Sequence, residues 1–394
     1  MSKRWGRFGG RFVPEVLWEP LEEVAQAYGE VMSDGRFRAM EERWRRDRRG
    51  RPTPLTHLAS LSEEMGGAQV WVKREDLSDG GSFCSTSALR QALLARELGK
   101  NRLVGETATG EFGIALGAIG AAMGMEVTVF MGRAAIKNQA INVERMERLG
   151  VNLLSVDGSS RGRSHAMAKA LRHWASESQT DHIFYVSSSL AAPDPYPTII
   201  AEALSVVGQE CRDQLELEGV EASALVAPVG SGSLAAGLFG PLMVEEGEEG
   251  PLLVGVQSAG GADQKRHAAV LRDGQPGIFL GTHSLVLQDD QGQVVTPHAR
   301  GWGVAMPVIG PQHAFWSEEE MASYRQVADE TAIEARERLA KVEGIDASLE
   351  SGYALAEAME IAQKRTSDEH VVVAVSGSGV RALNHAGMSD GERR

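Results

Sequence analysis

The segment ALVAPVGSGSLAAGLFGPL, residues 224–242, decides the architecture. An apolar run ends in Gly230-Ser231-Gly232-Ser233 and passes directly into a second apolar stretch of helical period, the pattern of a buried strand feeding a helix. Glycines at such a junction let an anion approach backbone N–H groups closely. Gly230, Ser231, Gly232 and Ser233 therefore form a candidate phosphate or carboxylate cradle, or else a tight strand-to-helix turn.

HVVVAVSGSG (370–379) has the same form, with Ser376 at the strand end. Further strand candidates are VWVKRED (70–76), RLVGETA (102–108), VTVFMG (127–132), NLLSVDG (152–158), HIFYVSS (182–188) and LLVGVQSAG (252–260). Between them lie CSTSALRQALLAREL, FGIALGAIGAAMG, AINVERMERLG, SHAMAKALRHWASE and LESGYALAEAMEIAQKR, with apolar residues recurring at three and four. This alternation predicts an α/β chain with a mainly parallel sheet and a ligand crevice at the carboxyl ends of the strands. Two stretches break the rhythm. Residues 265–315 are poorly periodic and hold the hairpin-like LVLQDDQGQVV, while residues 17–50 are helical and charged, with the run EERWRRDRRGR expected to be a solvated helix face.

The chain has 394 residues, enough for two or three lobes. Lys+Arg 40 against Asp+Glu 54 gives a net charge of -14, which disfavours nucleic acid and anionic membrane surfaces. Two cysteines, Cys84 and Cys211, make neither a disulfide framework nor a zinc cluster, so no metal is expected. With no apolar targeting or membrane-spanning run, a soluble cytoplasmic protein is expected. Two side chains stand at candidate chemical positions. Glu106, in GETATGEFG (105–113), is either an acid/base at a strand end or a helix-start partner. Cys84, at a loop-to-helix junction, is either a nucleophile or an inert buried thiol.

Taken together, these segments resemble the tryptophan synthase β family, pyridoxal-phosphate enzymes of fold type II. The resemblance runs in order through RFGGRFVPE, RPTPL (51–55), KREDL (73–77), NVERMERLG (142–150), PDPYPT (193–198), LVLQDDQGQV (285–294), GPQHA (310–314), EGIDASLESGYAL (343–355) and VSGSG (375–379). It implies two doubly wound α/β lobes with the active site between them. Residues 1–52 and 85–202 would form the N-terminal lobe, with a mobile subdomain at about 100–190, and residues 53–84 and 203–394 the C-terminal lobe.

The resemblance also exposes departures. The family's Schiff-base lysine falls at Cys84, and Phe83 replaces a histidine that helps hold the phosphate. The family's Gly-Gly-Gly-Ser-Asn phosphate loop is Gly230-Ser231-Gly232-Ser233-Leu234. The turn whose amides grip the amino-acid carboxylate becomes Thr107-Ala108-Thr109-Gly110-Glu111-Phe112, with a new carboxylate at Glu111. The aspartate that closes the lid is Ala305, and a lysine linking the partner α subunit is Ser164, so pairing with an α subunit is doubtful. Glu106 matches the family's catalytic glutamate, Glu350 a residue at the cofactor ring, and Ser376 the partner of the pyridine nitrogen.

Because a thiol forms no imine, covalent attachment at Cys84 is excluded, and the expectation is that there is no cofactor, or only weakly held, non-covalent pyridoxal phosphate. The leading reading is a cofactor-independent enzyme acting on an indole-like or other aromatic molecule in a specialised pathway. Glu106 and Cys84 would be catalytic, and Phe83, Thr107, Gly110, Glu111, Phe112, Ser189 and Glu350 would bind substrate. The alternatives are a non-catalytic binding or regulatory pseudoenzyme, and residual lyase or synthase chemistry with non-covalent pyridoxal phosphate. The expected assembly is a homodimer.

Overall fold

The computed structural model describes residues 4–157, 162–177, 182–244, 249–261 and 266–379. Three sheets organise it. The six-stranded sheet runs in the order Ser323–Val327, Leu252–Ser258, Ala224–Pro228, His370–Val375, Gln69–Arg74, Leu55–His57, parallel except for the antiparallel last strand. The four-stranded sheet is wholly parallel, in the order Asn152–Val156, Glu126–Gly132, Arg102–Thr107, Ile183–Val186. A small antiparallel sheet joins Arg4–Trp5 and Phe8–Gly9 to Thr282–Val286 and Gln275–Phe279.

Burial on both faces explains why the central strands are continuous apolar runs. Along His370–Val375, Val371, Val373 and Val375 enter one hydrophobic cluster, with Leu355 and Ala358 of the helix Leu349–Gln363. Val372 and Ala374 point the other way, into the larger cluster. Every strand proposed from the sequence is present. LVLQDDQGQVV does fold back on itself, with an antiparallel bridge from Gln288 to Val294 and amide bonds from Asp289 to the Gln293 carbonyl and from Val295 to the Leu287 carbonyl, both at 2.9 Å, while the longer paired strands are the neighbouring Gln275–Phe279 and Thr282–Val286. No helix among the described residues is long and apolar enough to cross a membrane.

The charged run is not uniformly solvated. It lies mainly on the helix Gly35–Arg49, where Glu42, Arg43, Arg46, Asp47 and Arg48 are exposed while Glu41 and Arg49 are buried. Glu41 accepts two bonds from Arg90, at 2.8 and 2.9 Å, and one from Arg45 at 2.7 Å. Arg51, just past the helix, is the centre of a larger buried network. Its guanidinium forks onto Glu75 at 2.8 and 2.9 Å and onto Glu210 at 2.9 Å, and donates to Thr86 Oγ1 at 3.0 Å. Lys73 Nζ donates to the same Glu210 at 2.8 Å. Burial opposes the charge on Arg51, but Glu75 and Glu210 outweigh it and raise the guanidinium above its ordinary value. Burial likewise opposes the charge on Glu75, and Arg51 holds that carboxyl below its ordinary range.

Removing one member leaves the opposite charges buried without compensation, at a cost of about 3–5 kcal/mol. Arg51→Ala should therefore lower stability by that amount in urea unfolding. Arg51→Lys should also destabilise, because a point charge cannot fork onto two carboxylates. A loss below about 1 kcal/mol in Arg51→Ala, the range of an exposed pair, would contradict this.

Candidate active site

A cleft lies where the strand ends of the six- and four-stranded sheets meet. It encloses about 680 Å³, part of it open to solvent. The four-stranded sheet contributes Thr107, Ala108, Thr109, Glu111 and Phe112, which follow the strand Arg102–Thr107, and Ser188, which follows Ile183–Val186. From the six-stranded sheet come Pro228 and Gly230–Leu234, after Ala224–Pro228, and Ser376, after His370–Val375. Phe83 and Cys84, at the start of the helix Cys84–Glu97, close one side, with Gly303, Val304 and Glu350 on another.

The glycine loop is held open from behind. Gly232 has φ +94°, and a Cβ there would sit 2.1 Å from His313 Cδ2, so both backbone and space require glycine. Among the described residues, the amides of Ser231, Gly232 and Ser233 donate to no protein acceptor, although all three residues are buried. Buried donors of this kind need an acceptor, and a phosphate supplies several. His313 is wholly buried, with Nε2 2.8 Å from the Gly232 carbonyl and Nδ1 2.7 Å from Tyr324 Oη. A carbonyl only accepts, so Nε2 carries the proton and Nδ1 accepts from the tyrosine. This bond fixes the Gly232 carbonyl against the side chain behind the loop.

The sequence-derived residues divide cleanly. Phe83, Cys84, Thr107, Glu111, Phe112, Gly230, Ser231, Gly232, Ser233, Glu350 and Ser376 all line the cleft. Glu350 accepts from the Gly303 amide at 2.8 Å, tying the helix Leu349–Gln363 to the loop carrying Val304 and Ala305. Ser376 Oγ lies 3.2 Å from both Ser348 Oγ and Ser351 Oγ. Three others stand behind the wall. Gly110 donates to Thr107 Oγ1 at 2.9 Å, and Ser189 Oγ accepts from the Ala191 amide at 3.1 Å. Glu106 is fully buried and accepts from Tyr185 Oη at 2.8 Å and from Ser188 Oγ at 2.6 Å. Burial, then the neighbouring Glu106 charge, pushes the Tyr185 phenol well above its ordinary value. Sequence reading missed Ser188, which is one residue from the serine it chose, and His313, which lies inside the GPQHA motif without an assigned role.

Residues 47–377 match the family described as pyridoxal-phosphate dependent enzyme. The chain belongs to that family. It is 40% identical over 380 residues to the tryptophan synthase beta chain of Methylibium petroleiphilum, covering 96% of this chain and 91% of that one. The chains of that name from Stenotrophomonas maltophilia and Anoxybacillus flavithermus are each 39% identical, over 98% and 95% of this chain and 95% and 94% of theirs. These matches overturn the expectation of no cofactor: the family and its tryptophan synthase members point to pyridoxal phosphate. The residues present fit its two ends, with the Ser231–Ser233 amides for the phosphate and the Ser376 hydroxyl for the ring nitrogen. Between those ends the cleft is lined by Cys84 and, among the described residues, by no lysine.

Burial pushes His313 down to about 4, with the bond to Gly232 opposing the shift. In the unfolded chain a histidine titrates near 6.5, so the unfolded state binds the extra proton between those values. The stability linked to neutral His313 is therefore complete above about pH 6.5 and is lost as pH falls towards 4, by up to about 3 kcal/mol. His313→Gln should be less stable than the parent at pH 7 and should lose less stability between pH 7 and 4. Parallel stability curves for the two proteins would show that this proton plays no part.

Proposed function

We propose that this protein holds pyridoxal phosphate in the cleft without a covalent link and binds an indole-like aromatic molecule beside it. The observation that carries the reading is the juxtaposition of three acceptor-seeking amides and the Ser376 hydroxyl with a thiol, Cys84, in place of an amine. The amides of Ser231, Gly232 and Ser233 would hold the phosphate, and Ser376 would meet the ring nitrogen. When bound, the cofactor supplies an electron sink for charge developing on an adjacent carbon. Phe83, Phe112 and Leu234 provide apolar wall for an aromatic ligand.

Turnover of serine and indole to tryptophan is not part of the proposal. Cys84 offers neither an imine nor an amine to carry protons, and Glu111 sets a carboxylate at the wall where the family grips an amino-acid carboxylate. That no lysine lines the cleft among the described residues also favours a second reading, a binding protein without turnover. A homodimer remains the proposed assembly.

Borohydride separates covalent from non-covalent holding. Pyridoxal phosphate should bind the purified protein in equilibrium dialysis and be removed completely by denaturing filtration after borohydride treatment. In Cys84→Lys the label should remain attached at residue 84, while tryptophan formation stays far below that of the β chains. Cofactor fixed to a lysine of the parent protein would overturn the proposal, as would absence of any binding. Turnover of an aromatic substrate by the parent would eliminate the second reading.

A further inference from the structure

Ser376 follows the strand His370–Val375 on the cleft wall, and the start of the helix Leu349–Gln363 brings two more hydroxyls up behind it. Ser348 is the N-cap of that helix and Ser351 lies in its first turn. All three serines are buried, and neither Ser348 nor Ser351 lines the cleft. Their oxygens form a closed triangle: Ser348 Oγ is 3.1 Å from Ser351 Oγ, and each is 3.2 Å from Ser376 Oγ. The Ser376 amide also donates to Ser351 Oγ, at 2.9 Å. Among the described residues the three hydroxyls have no other hydrogen-bond partner.

Each hydroxyl has one hydrogen and two lone pairs, so the ways of satisfying the triangle can be counted. One Ser351 lone pair is already taken by the Ser376 amide. If the hydrogens run from Ser348 to Ser351 to Ser376, the last hydrogen is left for the cleft and Ser376 donates to a ligand. If they run round the triangle, all three are used internally and Ser376 offers the cleft a lone pair. Neither state leaves a buried O–H unpaired. Without Ser348 only the first state survives. An accepting Ser376 would then share a single bond with Ser351, and one of their two hydrogens would be buried with no partner.

We propose that Ser348 is a positioning residue that lets Ser376 accept as well as donate, so that the cleft takes a ring whose nitrogen carries a proton. It acts only through Ser376, because it does not reach the cavity. The charged side chains lining the cleft among the described residues are Glu111 and Glu350. Both are acidic, so no cation on that wall opposes a positively charged ring. The inference rests on the reading above, in which Ser376 meets the ring nitrogen of pyridoxal phosphate, and it specifies the protonation state that the chain selects there.

Pyridoxal phosphate carrying a heavy-nitrogen label in its ring tests this, because the NMR shift of a ring nitrogen differs widely between its protonated and neutral forms. With the full-length protein in excess over the cofactor, the bound nitrogen should be protonated at neutral pH. Its titration midpoint should lie about one pH unit above that in Ser348→Ala, a roughly tenfold change in the protonation constant and the scale of one unpaired buried hydroxyl. Ser348→Thr, which keeps the hydroxyl, should keep the parent midpoint. A merely structural role for Ser348 would weaken cofactor retention at every pH and leave the midpoint in place, which overturns the proposal. A nitrogen that stays neutral in the parent down to neutral pH overturns it as well, while non-covalent binding still stands. Absence of any bound signal in the parent overturns instead the reading on which the proposal rests.

Discussion

The rest of the structure depends on the doubly forked Arg51. Its guanidinium joins Glu75, which follows the strand Gln69–Arg74, to Glu210 on the helix Tyr196–Glu218 and to Thr86 on the helix Cys84–Glu97. Three elements that share no local sequence are therefore registered by one planar cation. Thr86 is two residues from Cys84, so the network that satisfies a buried charge also places the first turn of the helix that carries the thiol into the cleft. Such a network contributes little net stability compared with apolar packing, but each member becomes costly to lose.

Behind the glycine loop the same logic applies to neutral groups. Tyr324, His313 and the Gly232 carbonyl form a directed chain that commits the carbonyl and leaves the neighbouring amides to a ligand. On the opposite side, Tyr185 and Ser188 both donate to the buried Glu106 carboxylate, and Tyr196 donates to the Tyr185 carbonyl. The cleft thus has one wall of backbone donors and, facing it, a hydroxyl tied to a buried carboxylate.

What was legible in the sequence follows from how strongly each feature is encoded locally. HVVVAV is buried on both faces, so it reads as a strand on its own, whereas the edge strand Ser323–Val327, SYRQV, shows only one buried residue and carries no such pattern. Charges read as solvated unless a partner is known, and the partner of Glu41 is Arg90, far along the chain. The glycine loop and Ser376 were visible because strand ends in α/β sheets are where ligands bind. Glu106 was visible as a strand-end carboxylate, but its concealment behind Ser188 was not, because in Ser187-Ser188-Ser189 only the backbone path beyond the strand decides which hydroxyl faces the cavity. The cofactor was misjudged because the expectation rested on residue 84 alone, while the glycine loop and Ser376 lie far from it in the sequence.

The central proposal is that the cleft holds pyridoxal phosphate by its two ends without a covalent link. A crystal structure of the protein grown with pyridoxal phosphate tests this most directly. The account predicts the phosphate on the amides of Ser231, Gly232 and Ser233, the ring nitrogen at Ser376, and a break in density between the cofactor and every side chain. Continuous density from the cofactor to a lysine, or a cofactor seated away from the glycine loop, would contradict it.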